Sequence, residues 1–349
     1  MTESVTPDEN TRAFDRYRES LTSARLYAEE SPEHALERFN DSIEFAREYA
    51  NRSNAESTWK AYESDWKAFE TWCRSVAAAS LPATPETVSG FLATEAKHDR
   101  AISTIRRRLA AIRLMHIARD YPSPHEAYQV TRVLKGIANA QKNRPVRKAK
   151  AVGDADIKRM IDALKLSSAK GMRDTALLLI GFDGALRRSE LVMITVEMIE
   201  ERPEGLLIDL PYSKSDQQGD GQIIPILARP GSRYCPVAAL QRWIEYSDCK
   251  EGLIFKRLHK GNKIGKTGLS AQSVALIVKD AVKRAEFKES EVSMFSGHSL
   301  RRGVMTESAR TDASLSQIMH LGRHKKADTA MGYIDRESAL ENHPTKRPH

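Results

Sequence analysis

The chain of 349 residues carries a formal net charge of +8, and 40% of its residues are hydrophobic. This length favours two domains over a single core, and no apolar run approaches the ~20 residues of a membrane-spanning helix. The first residues, MTESVTPDEN, lack the basic start and apolar stretch of a signal peptide, so we expect a cytoplasmic protein. Three cysteines without metal-ligand spacing argue against a disulfide framework. The positive charge favours a polyanionic partner.

The N-terminal half is predicted to be helical after a polar arm. Residues 1–30 are mixed in charge and are interpreted as a flexible arm, and Ser31 with Pro32 suits the start of a helix. A later helix, beginning at Ser57 or Thr58, carries apolar side chains at steps of three and four residues. These are Trp59, Tyr62, Trp66, Phe69, Cys73 and Val76. We interpret this stripe as core, because base stacking suits single strands better than a duplex.

Another helix is predicted from Ile102 to Arg119, with one apolar and one basic face. The inner stripe consists of Ile102, Ile105, Leu109, Ile112 and His116. The arginines Arg106, Arg107, Arg108, Arg113 and Arg119 lie largely outside that stripe, and no acid interrupts them. Solvated helix faces usually interleave acids with bases, so this face favours contact with phosphates or base edges. A last helix of this half is predicted from Pro124 to Gln141.

The segment KNRPVRKAK, Lys142 to Lys150, holds five basic residues and no acid. We interpret 31–143 as one domain, 144–152 as a basic linker, 153–336 as a second domain and 337–349 as a tail. A basic linker can lie along a duplex backbone, and each phosphate that it neutralises steepens the salt dependence of binding. Arg144 and Lys148 are therefore candidate contacts to DNA.

The second half combines helices with a few short strands. Helices are predicted at Asp154–Leu164, Asp174–Phe182, Cys235–Ile244 and Leu269–Ala285, and strands at Leu206–Pro211, Gln222–Leu227 and Leu253–Phe255. Lys214 lies between the first two strands, before a turn at 218–221. There is no alternation of strands and helices and no Gly-rich phosphate loop of the Walker type.

Four motifs in this half carry chemically useful residues: GALRRSE (Gly184–Glu190), GHSLRRG (Gly297–Gly303), HLGRH (His320–His324) and MGYIDR (Met331–Arg336). Two arginines, Arg187 and Arg301, suit the oxygens of a phosphate, because guanidinium forks bind them bidentately and stay protonated. Tyr333 is a candidate nucleophile. Taken singly, each residue fits an ordinary structural role, and the order and spacing of the set point to phosphoryl transfer.

A tyrosine that attacks a phosphodiester makes another phosphodiester, so the bond energy is conserved and strands can be rejoined without ATP or metal. Only about one tyrosine in a thousand is phenolate at neutral pH, so the phenol must lose its proton as it attacks. His298 and His324 can donate to the phosphate or take that proton. Lys214, near the tip of a hairpin, can protonate the departing 5′ oxygen. We expect no metal and no cofactor.

These motifs resemble those of the tyrosine recombinase (phage integrase) family, and most of all its Cre-like members. The resemblance implies a catalytic set, which is Arg187, Lys214, His298, Arg301, His324 and Tyr333, with Glu190 as a supporting acid. It implies a mainly α fold. A helical core-binding domain and a mostly helical catalytic domain with a small antiparallel β-sheet would form a C-shaped clamp on DNA.

The resemblance extends more weakly to DNA contacts. It places Lys60, Arg106 and Arg107 at the major groove and Gln272 on the base-reading helix of the catalytic domain. Gln272 replaces an arginine there, which predicts a different target site, since glutamine pairs best with adenine. The resemblance also implies double-stranded DNA with inverted repeats as partner, four protomers on that DNA, a monomer in solution, a Holliday junction and a place in the nucleoid. It further implies a tail that docks on a neighbouring protomer.

Two other functions stay open. A type IB topoisomerase, or a resolvase that leaves hairpin ends, would use the same arginine, lysine and tyrosine roles. A DNA-binding accessory protein would have lost its chemistry, although all six catalytic residue types are present here. Whether the biological role is dimer resolution, integration or cointegrate resolution does not follow from the sequence, and we expect recombination without accessory proteins.

Overall fold

The computed structural model describes residues 56–144, 149–211, 221–311 and 313–333. The chain divides into two compact units, Met1–Pro145 and Val146–His349. Helices dominate both, and small antiparallel sheets occur in the second, which confirms the predicted mainly α class. None of the helices in the described ranges is long and apolar enough to span a membrane.

The first unit is a helical bundle around an aromatic core. Its helices are α1 (Glu56–Ser75), α2 (Pro85–Lys97), α3 (Ile102–Ile117) and α4 (Tyr128–Ala140). Trp66, Phe69 and Cys73 of α1 are buried, and Phe69 meets Phe91 of α2 edge to face at 5.1 Å between ring centroids. The core interpretation of the α1 stripe is therefore confirmed for these three residues. It is wrong for Val76, which follows the end of α1 and is 49% exposed.

Helix α3 buries the predicted stripe, with Ile105, Ile112 and His116 inaccessible to solvent. The His116 ring is satisfied on both sides, by the backbone N–H of Ala83 at 2.9 Å and by the carbonyl of Ile112 at 2.8 Å. Arg108 does not belong to the exposed basic face: its side chain is only 14% exposed and pairs with Glu95 at 2.7 Å.

The helix predicted from Pro124 is interrupted. Pro124–Glu126 forms a single 3₁₀ turn, and α4 begins only at Tyr128. Ala127 between them is extended, with ψ 139°, and this conformation ends the first turn. The prediction of one continuous helix was therefore wrong at its start.

The second unit is organised around a buried helix. Its helices are α5 (Asp154–Asp162), α6 (Ala169–Asp183), α7 (Arg188–Met193), α8 (Pro236–Tyr246), α9 (Ala271–Arg284), α10 (Glu289–Val292), α11 (His298–Arg310), α12 (Leu315–Gly322) and α13 (Ala327–Met331). Helix α6 is buried from Ala176 to Phe182, which its almost uninterrupted apolar run explains. Trp243 of α8 is fully buried, and its indole N–H donates to the carbonyl of Ile254 at 2.9 Å.

Two antiparallel sheets accompany these helices. Strands β1 (Ile199–Arg202), β2 (Gly205–Leu210) and β3 (Gln222–Leu227) form the first in that order, and β4 (Lys256–Leu258) pairs with β5 (Ile264–Gly268) in the second. The strand prediction for Leu253–Phe255 was wrong. Leu253 forms only an isolated bridge with Thr195, and the next two side chains, Ile254 and Phe255, are both buried instead of alternating.

Candidate active site

A sharp corner between α6 and α7 forms the floor of the site. Ala185 lies in the left-handed region, with φ 46°, and its side chain is buried. Arg187 is the N-cap of α7, and its backbone N–H donates to the Glu190 carboxylate at 2.8 Å. The Arg187 guanidinium also pairs with Glu190. This double contact fixes the orientation of Arg187, whose side chain stays 24% exposed.

Helix α11 brings His298 and Arg301 to this corner. Arg301 is only 1% exposed, and its guanidinium donates to the carbonyl groups of Ala185 and Gly322. Burial, and then the positive charge of Arg187, lower the pKa of Arg301 to about 10. Arg301 therefore remains protonated at neutral pH, as a cation with little access to solvent.

The segment after α12 adds His324 and Tyr333. The two rings stack, with centroids 5.3 Å apart and planes 11° from parallel. The Tyr333 hydroxyl lies 3.4 Å from Nε2 of His298, and the Thr306 hydroxyl donates to the Tyr333 carbonyl at 3.1 Å. The tyrosine is thus held by its ring and by its backbone, with its hydroxyl beside a possible proton acceptor.

Both histidines are held in the neutral form in this setting. Desolvation, followed by the charge of Arg301, lowers the pKa of His324 to about 4 and also lowers the pKa of His298 from its ordinary value. At neutral pH the two imidazoles are therefore uncharged. A neutral His298 can accept the phenolic proton, with the tautomer assigned from this role.

The structure brings most of the predicted catalytic residues together within one chain. Those that meet are Arg187, Glu190, His298, Arg301, His324 and Tyr333. Lys214 lies outside the described residues. Among the described residues this site is a cluster of arginines and aromatic rings around one buried carboxylate.

The predicted DNA contacts fall into three groups. Lys60, Arg106 and Arg113 are exposed on α1 and α3, and Gln272 is exposed in the first turn of α9. Arg107 and Arg144 are engaged within the first unit, with Asp65 at 2.6 Å and with Asp99 at 3.0 Å, respectively. Lys148 lies outside the described residues.

Arg323 is a member of the cluster that the sequence reasoning missed. Its side chain is 8% exposed and pairs with Glu190 at 2.9 Å. The motif HLGRH contains Arg323, but only its last residue, His324, was predicted to have a role. Thr306, which holds the Tyr333 carbonyl, carried no sequence signal because an isolated threonine in a helix is unremarkable.

Two protein-family models match most of the chain. The phage integrase family model matches residues 151–339, and the model of the phage integrase N-terminal SAM-like domain matches residues 36–117. The chain is 33% identical over 298 residues to the integrase/recombinase xerD homolog of Selenomonas ruminantium, covering 85% of this chain and 86% of the relative. It is 24% identical over 294 residues to recombinase cre of Escherichia phage P1, covering 80% and 84%. The identity to the xerD homolog thus exceeds that to Cre.

Solved structures share the fold at low sequence identity. A lambda integrase dimer bound to a COC′ core site has a TM-score of 0.55 and 15% identity, covering 100% of this chain and 99% of that one. The Tn1549 transposon integrase in complex with transposon right end DNA has a TM-score of 0.57 and 15% identity, covering 85% and 96%. These likenesses support the two-part helical architecture.

Proposed function

Because this chain belongs to the phage integrase family and is a tyrosine-type site-specific recombinase, we propose that Tyr333 is the residue that cuts and rejoins its DNA. The observation that carries the proposal is the position of Tyr333 beside the arginine cluster. Its hydroxyl lies 3.4 Å from Nε2 of His298, and its ring stacks on that of His324. DNA is the partner of the reaction.

The step balances without an external energy source. The Tyr333 oxygen forms a bond to the scissile phosphorus while the bond from phosphorus to the 5′ oxygen breaks. The phenolic proton passes to His298, and Lys214 supplies the proton that the leaving 5′ hydroxyl takes up. The product is a 3′-phosphotyrosyl link, which a 5′ hydroxyl from another strand can attack to rejoin the DNA.

The arginines stabilise the negative charge that develops on the phosphate during this step. Arg187 is partly exposed and offers guanidinium donors to a non-bridging oxygen. Arg301 is buried and contributes a protonated group, with its Nη2 3.0 Å from Nε2 of His324. Preorganised donors of this kind stabilise a transition state because they need no rearrangement as charge develops.

The wider reaction follows from this chemistry and from the relatives. We propose that both units bind a duplex carrying inverted repeats, and that four protomers assemble on two sites from monomers. Strand pairs are then exchanged one at a time through a Holliday junction, in the nucleoid of the cytoplasm. Lys60, Arg106, Arg107, Arg113, Arg144 and Lys148 would contact the duplex, Gln272 would read a base, and the tail at 337–349 would dock on a neighbour.

Covalent trapping tests the proposal. Purified protein is mixed, without metal or ATP, with duplexes that it selects from a library of randomised inverted repeats and that carry a nick in the spacer. We expect a denaturing gel to show protein attached to a 3′ end with the wild type and not with Tyr333→Phe. Binding without an adduct would favour the accessory-protein alternative, and relaxation of supercoils without sequence preference would favour the topoisomerase.

A further inference from the structure

Arg323 occupies the centre of the buried cluster, yet no role in the proposed chemistry has been given to it. Its Nη1 donates to the Gly184 carbonyl at 2.9 Å, and its Nη2 donates to the Ala185 carbonyl and to Glu190, each at 2.9 Å. With both terminal nitrogens engaged and the side chain 8% exposed, Arg323 has little capacity to bind a phosphate directly.

The backbone of Arg323 is in a conformation that favours glycine. The residue caps α12 with φ 51° and ψ 51°, in the left-handed region. Glycine or asparagine usually fills such a position, because a Cβ atom is crowded there. The arginine is therefore held in place by the contacts of its side chain.

Those contacts reach both catalytic arginines. The Glu190 carboxylate is shared between Arg323 and Arg187, and the Ala185 carbonyl accepts from both Arg323 and Arg301. A movement of Arg323 would consequently disturb the acceptor on which each of the other two depends.

The charge of the cluster is unbalanced. Three guanidinium groups surround one carboxylate, an excess of two positive charges in a site where Glu190 is 4% and Arg301 1% exposed. The three guanidinium groups repel one another, so their positions depend on the carbonyl and carboxylate oxygens that accept their hydrogen bonds. A phosphate that entered between Arg187 and the histidines would lower this repulsion.

We propose that Arg323 is a positioning residue, which holds Arg187 through Glu190 and Arg301 through the Ala185 carbonyl in the geometry that stabilises the transferring phosphate. The inference rests on the proposed function. It predicts that a change of Arg323 alters the rate of strand cleavage and leaves the affinity for DNA unchanged.

The experiment compares single-turnover cleavage and DNA affinity on the nicked inverted-repeat duplex described above. Arg323→Lys keeps the charge but cannot reach all three acceptors, and Arg323→Gly relieves the backbone while removing the contacts. We expect both to lower the cleavage rate by about 100-fold, the effect of a misplacement of about 1 Å, while DNA affinity stays near that of the wild type. Rates are compared at a temperature well below the melting temperature of every variant, because loss of the buried contacts also lowers stability. Arg202→Lys, on exposed strand β1, is the matched control and should cleave at the wild-type rate.

A double-mutant cycle separates positioning from a general structural role. If Arg323 acts largely through Arg187, adding Arg323→Lys to Arg187→Ala should cost only about threefold more. Cleavage by both Arg323 variants at the wild-type rate, full additivity in the cycle, or a loss of affinity matching the loss of rate would each overturn the inference. A wild type that forms no adduct would instead overturn the proposed function.

Discussion

The arginines on α3 of the first unit and those of the buried cluster in the second unit differ in their exposure to solvent. On α3 of the first unit, Arg106 and Arg113 are exposed, and Arg107 pairs with Asp65 while 48% of its side chain remains accessible. In the second unit Arg301 and Arg323 are nearly inaccessible to solvent and bonded to backbone carbonyl groups. A mobile exposed arginine can adapt to a DNA backbone, whereas a buried one has a fixed position. We therefore propose that the arginines on α3 serve DNA binding and those of the buried cluster serve catalysis.

The largest effect should come from the partly exposed arginine of the buried cluster. Arg187→Ala removes the guanidinium donors that we propose for the phosphate, so cleavage of the nicked duplex should fall about 100- to 1000-fold. Single-turnover rates on saturating DNA measure this. A variant that binds DNA poorly but cleaves the bound fraction at the normal rate would reverse the assignment of catalysis to this cluster.

In the first unit the strongest effect should be on stability. Asp65 is 2% exposed and accepts from Arg107, so Asp65→Ala should lower the free energy of unfolding by about 2–3 kcal/mol. Urea unfolding followed by tryptophan fluorescence reports on this unit, because three of the four tryptophans lie in α1. Glu63→Ala, which removes an exposed pair with Lys67 on the same helix, is the control and should leave the midpoint unchanged. Equal urea midpoints for the two variants would show that Asp65 does not stabilise the first unit.

The histidines beside the buried cluster should make the second unit sensitive to acid. Because the pKa of His324 falls from 6.5 to about 4 on folding, the unfolded chain binds more protons between these values. The free energy of unfolding should therefore fall as the pH drops from about 6.5 to about 4, by about 2 kcal/mol after allowing for partial exposure. NMR titration of the free protein checks the cause. A His324 resonance that titrates near 6.5 would contradict the desolvation of the site.

The smallest effect should be that of a single exposed arginine. Arg113→Ala removes one candidate phosphate contact, so the slope of the logarithm of affinity against the logarithm of salt should fall by about 1. Cleavage of bound DNA and protein stability should stay unchanged. An unaltered slope would show that Arg113 does not contact DNA phosphates, which would contradict a DNA-binding role for the exposed arginine.

Much of the helical architecture follows from local patterns, and the exceptions have physical causes. The apolar periodicity around Phe69 and Ile112 predicts the helices because it reflects burial along one face. Strand β1 was missed, since IEER has one apolar residue and gains its structure by pairing with β2. The apolar period along a strand contains no information about the backbone pairing that stabilises it.

The same limit applies to the site. The motifs supplied Glu190 and five of the six predicted catalytic residues. The sixth, Lys214, was predicted from its position between two strands and lies outside the described residues. The motifs did not supply the burial of Arg301, whose acceptor Ala185 is 116 positions away, or the pair between Arg323 and Glu190, which are 133 positions apart. A left-handed arginine likewise has no signature in the sequence, because its conformation is stabilised by those distant contacts.

A mixing experiment tests most directly whether one chain supplies both the nucleophile and the arginine cluster. Tyr333→Phe and Arg187→Ala are assayed separately and together on the nicked duplex, with wild type as reference. We expect an adduct with wild type and no gain when the two variants are mixed, since the intact Tyr333 always lies in a chain that lacks Arg187. An adduct that appears only in the mixture would show that the tyrosine attacks in the site of a neighbouring protomer, and that one chain does not supply the complete site.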